Sequence, residues 1–325
     1  MFKVLEFHAN KRVEVFEGSS HIGPPPDGVI RWIDLSEQDS AQLEILRDRF
    51  DFHPLTIEDC AQFDQRPKVE EYDGYFFIVM HGLCCAKDDP ASIEQREIHA
   101  FLGDRYLVTV HDQDIEALDN IWKRAVSDPG LAARGIDFIY YLVADAIVES
   151  NFPILDRIAD ELEEIESEVM ERVHQEQLTR IFRIKRGLVT MRKALSPQRD
   201  MLSLLAKRGG EYVSERTALY FRDVYDHLVR ITESIETSRD LVGNCLDAYL
   251  SMVSQRTNEI MKSLTIMSAV FLPLAFVVGF FGQNFVDLPG LPNWVESRSL
   301  MWFMIVLCAS VPVAMIVWFR SRNWL

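Results

Sequence analysis

The feature that most constrains this chain is a pair of apolar stretches near its C-terminus, Leu264 to Phe281 and Met301 to Phe319. They hold 18 and 19 residues without a charged side chain. A helix rises 1.5 Å per residue, so about 18 to 20 residues cover a hydrocarbon core of about 30 Å. The sequence therefore predicts a membrane domain at 264–325, with helices at 264–281 and 301–319, an outer loop at 282–300 and a tail at 320–325.

Basic residues beside the two stretches predict the orientation. Arg256 and Lys262 precede the first stretch, Arg320 and Arg322 follow the second, and Arg298 lies in the loop between them. Positively charged flanks favour the cytoplasmic side. Both termini are therefore predicted to be cytoplasmic, and the protein is predicted to reside in the inner (plasma) membrane.

The rest of the chain has the composition of a soluble body. Charged residues make up 26% of the sequence, and the net charge is −16. Such a charge repels nucleic acid and concentrates cations, although an ordinary solvated acidic surface also accounts for it. The five cysteines match no zinc or redox spacing and are predicted to be buried thiols.

Residue patterns divide this body in two. Residues 1–152 alternate strand-like and helical runs and predict a cytoplasmic α/β domain. The runs are Gly28–Leu35, Tyr75–Leu83, Ile98–Leu102 and Tyr106–His111 for strands, and Ser40–Phe50 and Ile115–Ala125 for helices. Residues 153–263 predict a helical region that starts with two amphipathic helices, broken near His174 and bent near Pro197.

A long stalk helix is predicted from about residue 214. From there to Pro273 the sequence has no proline and a single glycine, Gly243, so one helix can continue from the cytoplasm into the membrane. Its apolar side chains repeat by heptads in two rows: Val224, Ile231, Ser238, Cys245 and Met252, and Leu228, Ile235, Val242 and Tyr249. The rows predict packing on helices of the same chain. Two helices alone in lipid give a polar solute no path, so several copies around an axis are also expected.

A second row on this helix carries the candidate chemistry. Its acidic members are spaced by seven, and the same face continues through Asn258 and Met261 toward Gly282-Gln283-Asn284. The acidic members are Asp226, Glu233, Asp240 and Asp247. Acidic rows are usually only solvent-exposed, but in a symmetric oligomer this face would form stacked rings that line a pore. Oxygen ligands suit a hydrated Mg²⁺, whereas softer metals more often use His or Cys.

Several motifs together resemble the CorA family of divalent-cation transporters, over nearly the whole chain. In that family a Gly-x-Asn triplet ends the first membrane helix, as Gly282-Gln283-Asn284 does here. Residues 53–59 with 65–70 resemble the soluble-domain signature of the family, 220–227 its stalk, and 262–285 its pore helix.

The resemblance implies a funnel-shaped homopentamer with a pore along the first membrane helix. The triplet Gly282, Gln283 and Asn284 would select the hydrated ion at the outer mouth. Residues that would line or gate the pore are Asp247, Asn258, Met261, Leu264 and Leu272. Asp223 falls at the position of a regulatory metal site between subunits.

This chain departs from the family pattern at several of these places. The middle residue of the triplet is usually Met and here is Gln283, and Phe281 replaces the usual Tyr. In the outer loop Asp287 and Glu296 remain as the acids that would attract cations. The Asp that faces Asp223 in the family corresponds to Ala86, with Asp88 and Asp89 as the nearby candidate ligands.

The function expected from these features is passive, channel-like transport of Mg²⁺, Co²⁺ and Ni²⁺, with Zn²⁺ as a further candidate. A zinc-preferring, proton-coupled transporter is one alternative, and a non-conducting scaffold or sensor with the family fold is another. The sequence shows no phosphate loop, nucleophile elbow or His-Glu-x-x-His helix, so neither an enzyme nor a cofactor is expected.

Overall fold

The protein is described by a computed structural model that covers residues 2–36, 39–86, 89–208, 211–282 and 298–322. Contacts between residues divide the chain into two units, unit 1 (Met1–Asp247) and unit 2 (Ala248–Leu325). The domain limits at residues 152 and 263 come from the sequence patterns and stay predictions.

Unit 1 contains a seven-stranded sheet. Its strands are β1 (Phe2–His8), β2 (Val13–Glu17), β3 (Val29–Ser36), β4 (Lys68–Tyr72), β5 (Tyr75–Ala86), β6 (Asp89–Leu102) and β7 (Tyr106–His111). They lie in the order β2-β1-β3-β7-β6-β5-β4. β3 and β7 pair in parallel, and the other neighbouring pairs are antiparallel.

The described residues form eight α-helices, and together with the sheet they confirm the predicted fold class. These helices are α1 (Ser40–Phe50), α2 (Pro54–Gln62), α3 (Glu116–Ser127), α4 (Ile136–Glu149), α5 (Phe152–Glu171), α6 (Gln175–Arg208), α7 (Glu215–Phe281) and α8 (Arg298–Ser321). The break between α5 and α6 lies where the sequence predicted it, near His174. α6 continues as a helix through Pro197.

The central strands of the sheet are buried on both faces because they are apolar at successive positions, whereas the edge strands β2 and β4 are not. On one face Val4, Phe77 and Phe101 join a core cluster with Leu46 of α1 and Cys60 of α2. Neighbouring residues point to the opposite face, since side chains alternate along a strand. There, Trp32 of β3 meets Trp122 of α3 edge to face at 4.8 Å. The hydroxyl of Tyr140, on α4, donates to Met80 Sδ of β5 at 3.1 Å.

The heptad rows of α7 pack inside unit 1 as far as Cys245, as predicted, whereas Tyr249 and Met252 belong to unit 2 and are half-buried. Val224, Leu228, Ile231 and Ile235 are fully buried. Cys245 Sγ lies 3.8 Å from the Leu162 carbonyl oxygen on α5. Arg192 of α6 forms an ion pair with Glu236 of α7 at 3.1 Å. Contacts with the chain's own helices therefore account for this part of the heptad seam.

All five cysteines are free thiols, but the prediction that they are buried is correct for only two of them. Cys60 and Cys245 are buried, whereas Cys84, Cys85 and Cys308 are partly exposed. Cys84 and Cys85 lie near the C-terminal end of β5, and Cys85 Sγ is 3.0 Å from Arg157 Nη2 of α5.

Among the described residues, three helical stretches are long and apolar enough to cross a membrane: Ile136–Glu171, Glu215–Phe280 and Met301–Ser321. In the first, 61% of the apolar window is buried inside the protein, whereas the windows of the other two are 0% and 6% buried. The first stretch is therefore core. The other two contain the predicted membrane helices, and α7 ends at Phe281 as predicted.

Candidate ion-conduction surface and metal cluster

The pore-lining residues that the sequence singled out all lie on α7 and are exposed in the single chain. Asp247 belongs to unit 1, and Asn258, Met261, Leu264 and Leu272 belong to unit 2. The three apolar side chains are 55%, 56% and 76% exposed, in chain order, so the described part of the chain leaves them uncovered. Large apolar side chains with this exposure require lipid or another subunit as a neighbour.

Within unit 2 these side chains share one side of α7. At 3.6 residues per turn, Asn258, Met261 and Leu272 fall within about 60° of one another, and Leu264 lies next to them. A shallow polar depression surrounds Asn258, formed by Ser251, Ser254, Gln255, Asn258, Glu259 and Lys262. The surface therefore changes from polar to apolar along the helix. Residues 263–281 carry no ionisable side chain, and their polar side chains are the hydroxyls of Ser263, Thr265 and Ser268.

The last turn of α7 leads into the triplet at Gly282. The Gly282 amide donates to the Val278 carbonyl at 2.8 Å, which continues the helical bonding to this residue. A Cβ built on Gly282 would lie 2.9 Å from that same carbonyl oxygen, closer than real Cβ atoms approach. A side chain at the first position of the triplet would therefore require the end of the helix to shift.

The remaining predicted site residues lie largely outside the described residues. They are Gln283, Asn284, Asp287, Glu296 and Asp88. Asp89 is described only as the first backbone position of β6. Their roles stay predictions.

Asp223, the predicted regulatory ligand, is described and lies on the surface of α7. Its side chain is 67% exposed, and its Oδ2 is 3.8 Å from His227 Nε2, one helical turn later. The other ring nitrogen of His227, Nδ1, lies 3.8 Å from Asp145 Oδ1 on α4. His227 therefore stands between an exposed and a half-buried carboxylate.

Asp145, Glu149 and His227 form a cluster whose ligand atoms all lie within 4.8 Å of one another. Asp145 Oδ1 and His227 Nδ1 are both buried, and neither has a hydrogen-bond partner among the described residues. Burial, followed by the charge of Glu149, raises the pKa of Asp145 above its ordinary value. Buried polar atoms without a hydrogen bond lower the stability of a fold. A cation bound by both Asp145 Oδ1 and His227 Nδ1 would remove that cost, so the cluster suits a cation.

Sequence reasoning selected Asp223 but missed the neighbouring cluster of Asp145, Glu149 and His227. The available signals were the spacing of four between Asp145 and Glu149 and between Asp223 and His227, which puts each pair on one helical face. Nothing in the sequence shows that the two faces meet. Their contact depends on how α4 packs beside α7 in unit 1.

Three histidines outside the predicted site have structural partners. His53 caps α2, its Nδ1 accepting from the Leu55 amide at 3.3 Å. His99 is fully buried between Cys60 Sγ at 3.2 Å and Glu97 Oε1 at 2.5 Å. His111 pairs with Asp34 at 3.2 Å, and this carboxylate raises the pKa of His111 against the effect of burial.

Comparison with known proteins identifies the family. The model of the family described as "CorA-like Mg2+ transporter protein" matches residues 27–321. The cobalt/magnesium transport protein CorA of Thermotoga maritima is 36% identical over 277 residues, which is 85% of this chain and 78% of that protein. YfjQ of Bacillus subtilis is 33% identical over 300 residues, covering 92% of this chain and 91% of that protein.

The fold agrees with this relationship. The complete CorA magnesium transporter of Methanocaldococcus jannaschii superimposes with a TM-score of 0.85 at 22% identity, over 100% of this chain and 99% of that one. At this identity the match shows the fold alone. Combined with the family match over most of the sequence, it leaves one conclusion: the chain belongs to the CorA-like Mg²⁺ transporter protein family.

Proposed function

We propose that the protein is a passive, channel-like transporter of divalent metal cations, with α7 lining a homopentameric pore in the inner (plasma) membrane. The observation that carries this proposal is the exposed face of α7, polar at Asn258 and apolar at Met261, Leu264 and Leu272. Its cargo is Mg²⁺, Co²⁺ and Ni²⁺, with Zn²⁺ as a further candidate. The cations are substrates, and neither catalysis nor a resident cofactor forms part of the proposal.

The chemistry of this face suits a cation that keeps its water. Mg²⁺ is bound by oxygen ligands and dehydrates reluctantly, so it usually retains several waters. Side-chain amides such as that of Asn258 can hold a hydration shell without a fixed charge. An apolar constriction below the mouth can then control passage by excluding water when it narrows.

Several copies of the chain are needed for this mechanism. A chain that contributes two helices to lipid offers no enclosed polar route by itself, and closed cyclic symmetry is the common way to build one. In such a ring Asn284 would meet the ion first, with Gly282 and Gln283 shaping the turn. Asp287 and Glu296 would raise the local cation concentration outside.

The membrane potential supplies the driving force. Moving one elementary charge across 100 mV is worth about 2.3 kcal/mol, so a divalent cation gains about 4.6 kcal/mol on moving inward. This energy is enough to drive uptake without a fuel such as ATP. The basic residues around Lys262 and Arg320 predict that both termini lie in the cytoplasm, which places the proposed ion entrance outside. The names of the relatives, which include a cobalt/magnesium transport protein, support this class of cargo.

We further propose that cytoplasmic cation at Asp223 favours the closed pore, with Asp88 and Asp89 as candidate ligands from a neighbouring subunit. The cluster of Asp145, Glu149 and His227 beside Asp223 supports a cation there. Removal of that cation would leave buried ligand atoms uncompensated.

Flux measurement tests the proposal directly. Purified protein is reconstituted in liposomes that contain a metal-sensitive dye, and entry of Mg²⁺, Co²⁺, Ni²⁺ and Zn²⁺ is followed at two pH values and under an imposed potential. We expect entry that follows the potential. Intact oligomers without flux of any of these ions would reject transport in favour of a scaffold or sensor, and Zn²⁺ entry that requires a pH gradient would favour proton coupling.

Asn284→Ala tests the triplet itself. We expect this variant to assemble normally but to lose discrimination among the four ions, because the amide that holds the hydration shell is gone. Asn293→Ala, in the same loop, is the matched control and should behave like the unmodified protein. Equal ion selection in both variants would remove Asn284 from the proposed filter.

A further inference from the structure

The β1–β2 hairpin of unit 1 brings together a histidine and two carboxylates at the edge of the sheet. Glu6 and Glu14 are direct partners across the antiparallel pair β1–β2. His8 follows Glu6 by two residues, so both side chains lie on one face of β1. The three ligand atoms all lie within 4.8 Å of one another.

The free atoms of these side chains converge on one point. His8 Nε2 lies 3.8 Å from Glu6 Oε2 and 3.6 Å from Glu14 Oε2. These separations are too long for hydrogen bonds. Zinc bonds of about 2.0 to 2.2 Å to nitrogen and oxygen give ligand-to-ligand edges of about 3.3 to 3.5 Å in a tetrahedron, so a small contraction of the cluster would complete three corners.

The nitrogen at the centre of this arrangement lacks another partner. His8 Nε2 is buried, and it has no hydrogen-bond partner among the described residues. The His8 and Glu14 side chains are nevertheless 29% and 25% exposed, so solvent reaches the rim of the cluster. A buried unsatisfied ligand atom beside an open rim provides both a reason to bind an ion and a route for its entry.

Two arginines hold the carboxylates through their other oxygens. Arg31 Nε donates to Glu6 Oε1 at 2.9 Å, and Arg12 Nε lies 2.7 Å from Glu14 Oε1. Each carboxylate is thereby oriented with its Oε2 directed to His8, which is the role that outer partners play around metal ligands. The arginines also balance the two negative charges. The net charge of these four side chains is therefore close to zero. A metal ion would be held by coordination to the imidazole and the carboxylate oxygens, not by a negative charge on the cluster.

We propose that Glu6, His8 and Glu14 bind a divalent transition-metal ion of the Zn²⁺ class, with water at the remaining position. Imidazole with carboxylate is a ligand set that suits Zn²⁺, Co²⁺ and Ni²⁺, whereas Mg²⁺ favours oxygen ligands alone. The site belongs to the hairpin at the end of the sheet, and it is independent of conduction along α7.

Zinc binding to the full-length protein tests this assignment. Detergent-purified protein is dialysed against Zn²⁺ in a large excess of Mg²⁺, which occupies the oxygen-ligand sites, and bound Zn²⁺ is counted per chain. We expect His8→Asn to bind one Zn²⁺ fewer than the unmodified protein. We expect Glu14→Gln, on the edge strand β2, to lower the affinity of the hairpin site for Zn²⁺ by about tenfold or more.

A histidine variant outside both clusters serves as the control. His174→Asn removes an exposed histidine between α5 and α6 and should keep the hairpin ion. Melting temperatures without metal establish that His8→Asn is folded. Equal Zn²⁺ content in the unmodified protein and folded His8→Asn would overturn the proposal and leave the cluster as an ion-pair network only. If the unmodified protein fails to transport ions but His8→Asn still lowers the Zn²⁺ content, the result counts against the proposed transport function and leaves the hairpin site in place.

Discussion

At the scale of single residues, the first position of the Gly-Gln-Asn triplet, the proposed ion selector, has little room for a side chain. Gly282 lies where a Cβ would approach the Val278 carbonyl to 2.9 Å. At Gly279, three residues earlier, a Cβ would meet no described atom within 4 Å apart from the backbone of its own helix. Gly279 therefore reports the general effect of adding a methyl group to the helix.

Gly282→Ala is therefore expected to reduce ion flux strongly, because the helix end must shift to relieve the contact and the residues after it move with it. Gly279→Ala is expected to stay close to the unmodified protein. Liposome flux per assembled oligomer measures both variants. Similar flux in the two would show that the crowding at Gly282 is relieved without consequence.

Asp145 carries a pH-dependent cost to stability. Because burial raises its pKa in the folded state above the unfolded value, the ionised side chain destabilises the fold, and stability falls as pH rises through the folded pKa. Asn cannot ionise and can still accept from the Tyr141 hydroxyl, which lies 3.4 Å from Asp145 Oδ2. We expect Asp145→Asn to raise the melting temperature at pH 7 without divalent cations.

This gain should shrink as the pH is lowered, since the native carboxylate then becomes neutral as well. Melting curves at several pH values, with chelator present, give the measurement. Asp226→Asn, an exposed acid on α7, is the control and should show no such trend. A gain for Asp145→Asn that is constant with pH would point to packing instead of ionisation.

At the scale of elements, the N-terminal part of α7, up to Asp247, is a core helix of unit 1. Leu228 is fully buried, whereas Leu219 is 62% exposed on the same helix. Leu228→Ala should lower the free energy of unfolding by about 2–5 kcal/mol through lost burial and the cavity left behind. Leu219→Ala should change it little. Thermal unfolding followed by circular dichroism checks both, and equal shifts would contradict the assignment of the buried row.

Elements with a clear period were predictable from the sequence. β7 and α1 have the predicted bounds, because an unbroken β-branched run and a capped amphipathic pattern specify them locally. β4 was missed because Lys68 to Tyr72 is mostly charged and forms an edge strand with only half-buried side chains. β6 is longer than the apolar run 98–102, since its first half continues beside β5 through pairing rather than apolar pattern.

The sequence predicted the candidate site only where all of its residues lie on a single helix. The face with Asn258, Met261 and Leu272 is a matter of helical spacing and is visible in the sequence. The cluster of Asp145 and His227 joins residues 82 positions apart, and the hairpin cluster at His8 depends on strand register. Such contacts come from tertiary packing, which a residue pattern does not encode by itself.

At the scale of the whole molecule, the proposed assembly makes the acidic row of α7 face an axis. Asp247 is exposed, and Ser234 is an exposed residue about 140° away on the same helix. In membranes under mild oxidation, Asp247→Cys is expected to cross-link between chains more than Ser234→Cys. The unmodified chain, with its five cysteines, gives the background. Equal cross-linking of the two variants would contradict an axial position for Asp247.

The edge-to-face contact between Trp32 and Trp122 also equips the molecule with an optical reporter. Of six tryptophans, these two belong to unit 1, and the other four belong to unit 2. Separation of β3 from α3 exposes the Trp32 indole to water and should shift its fluorescence emission to longer wavelength. Subtracting the spectrum of Trp32→Phe isolates that signal, so the melting of the sheet layer can be followed in intact proteoliposomes while ions are being conducted.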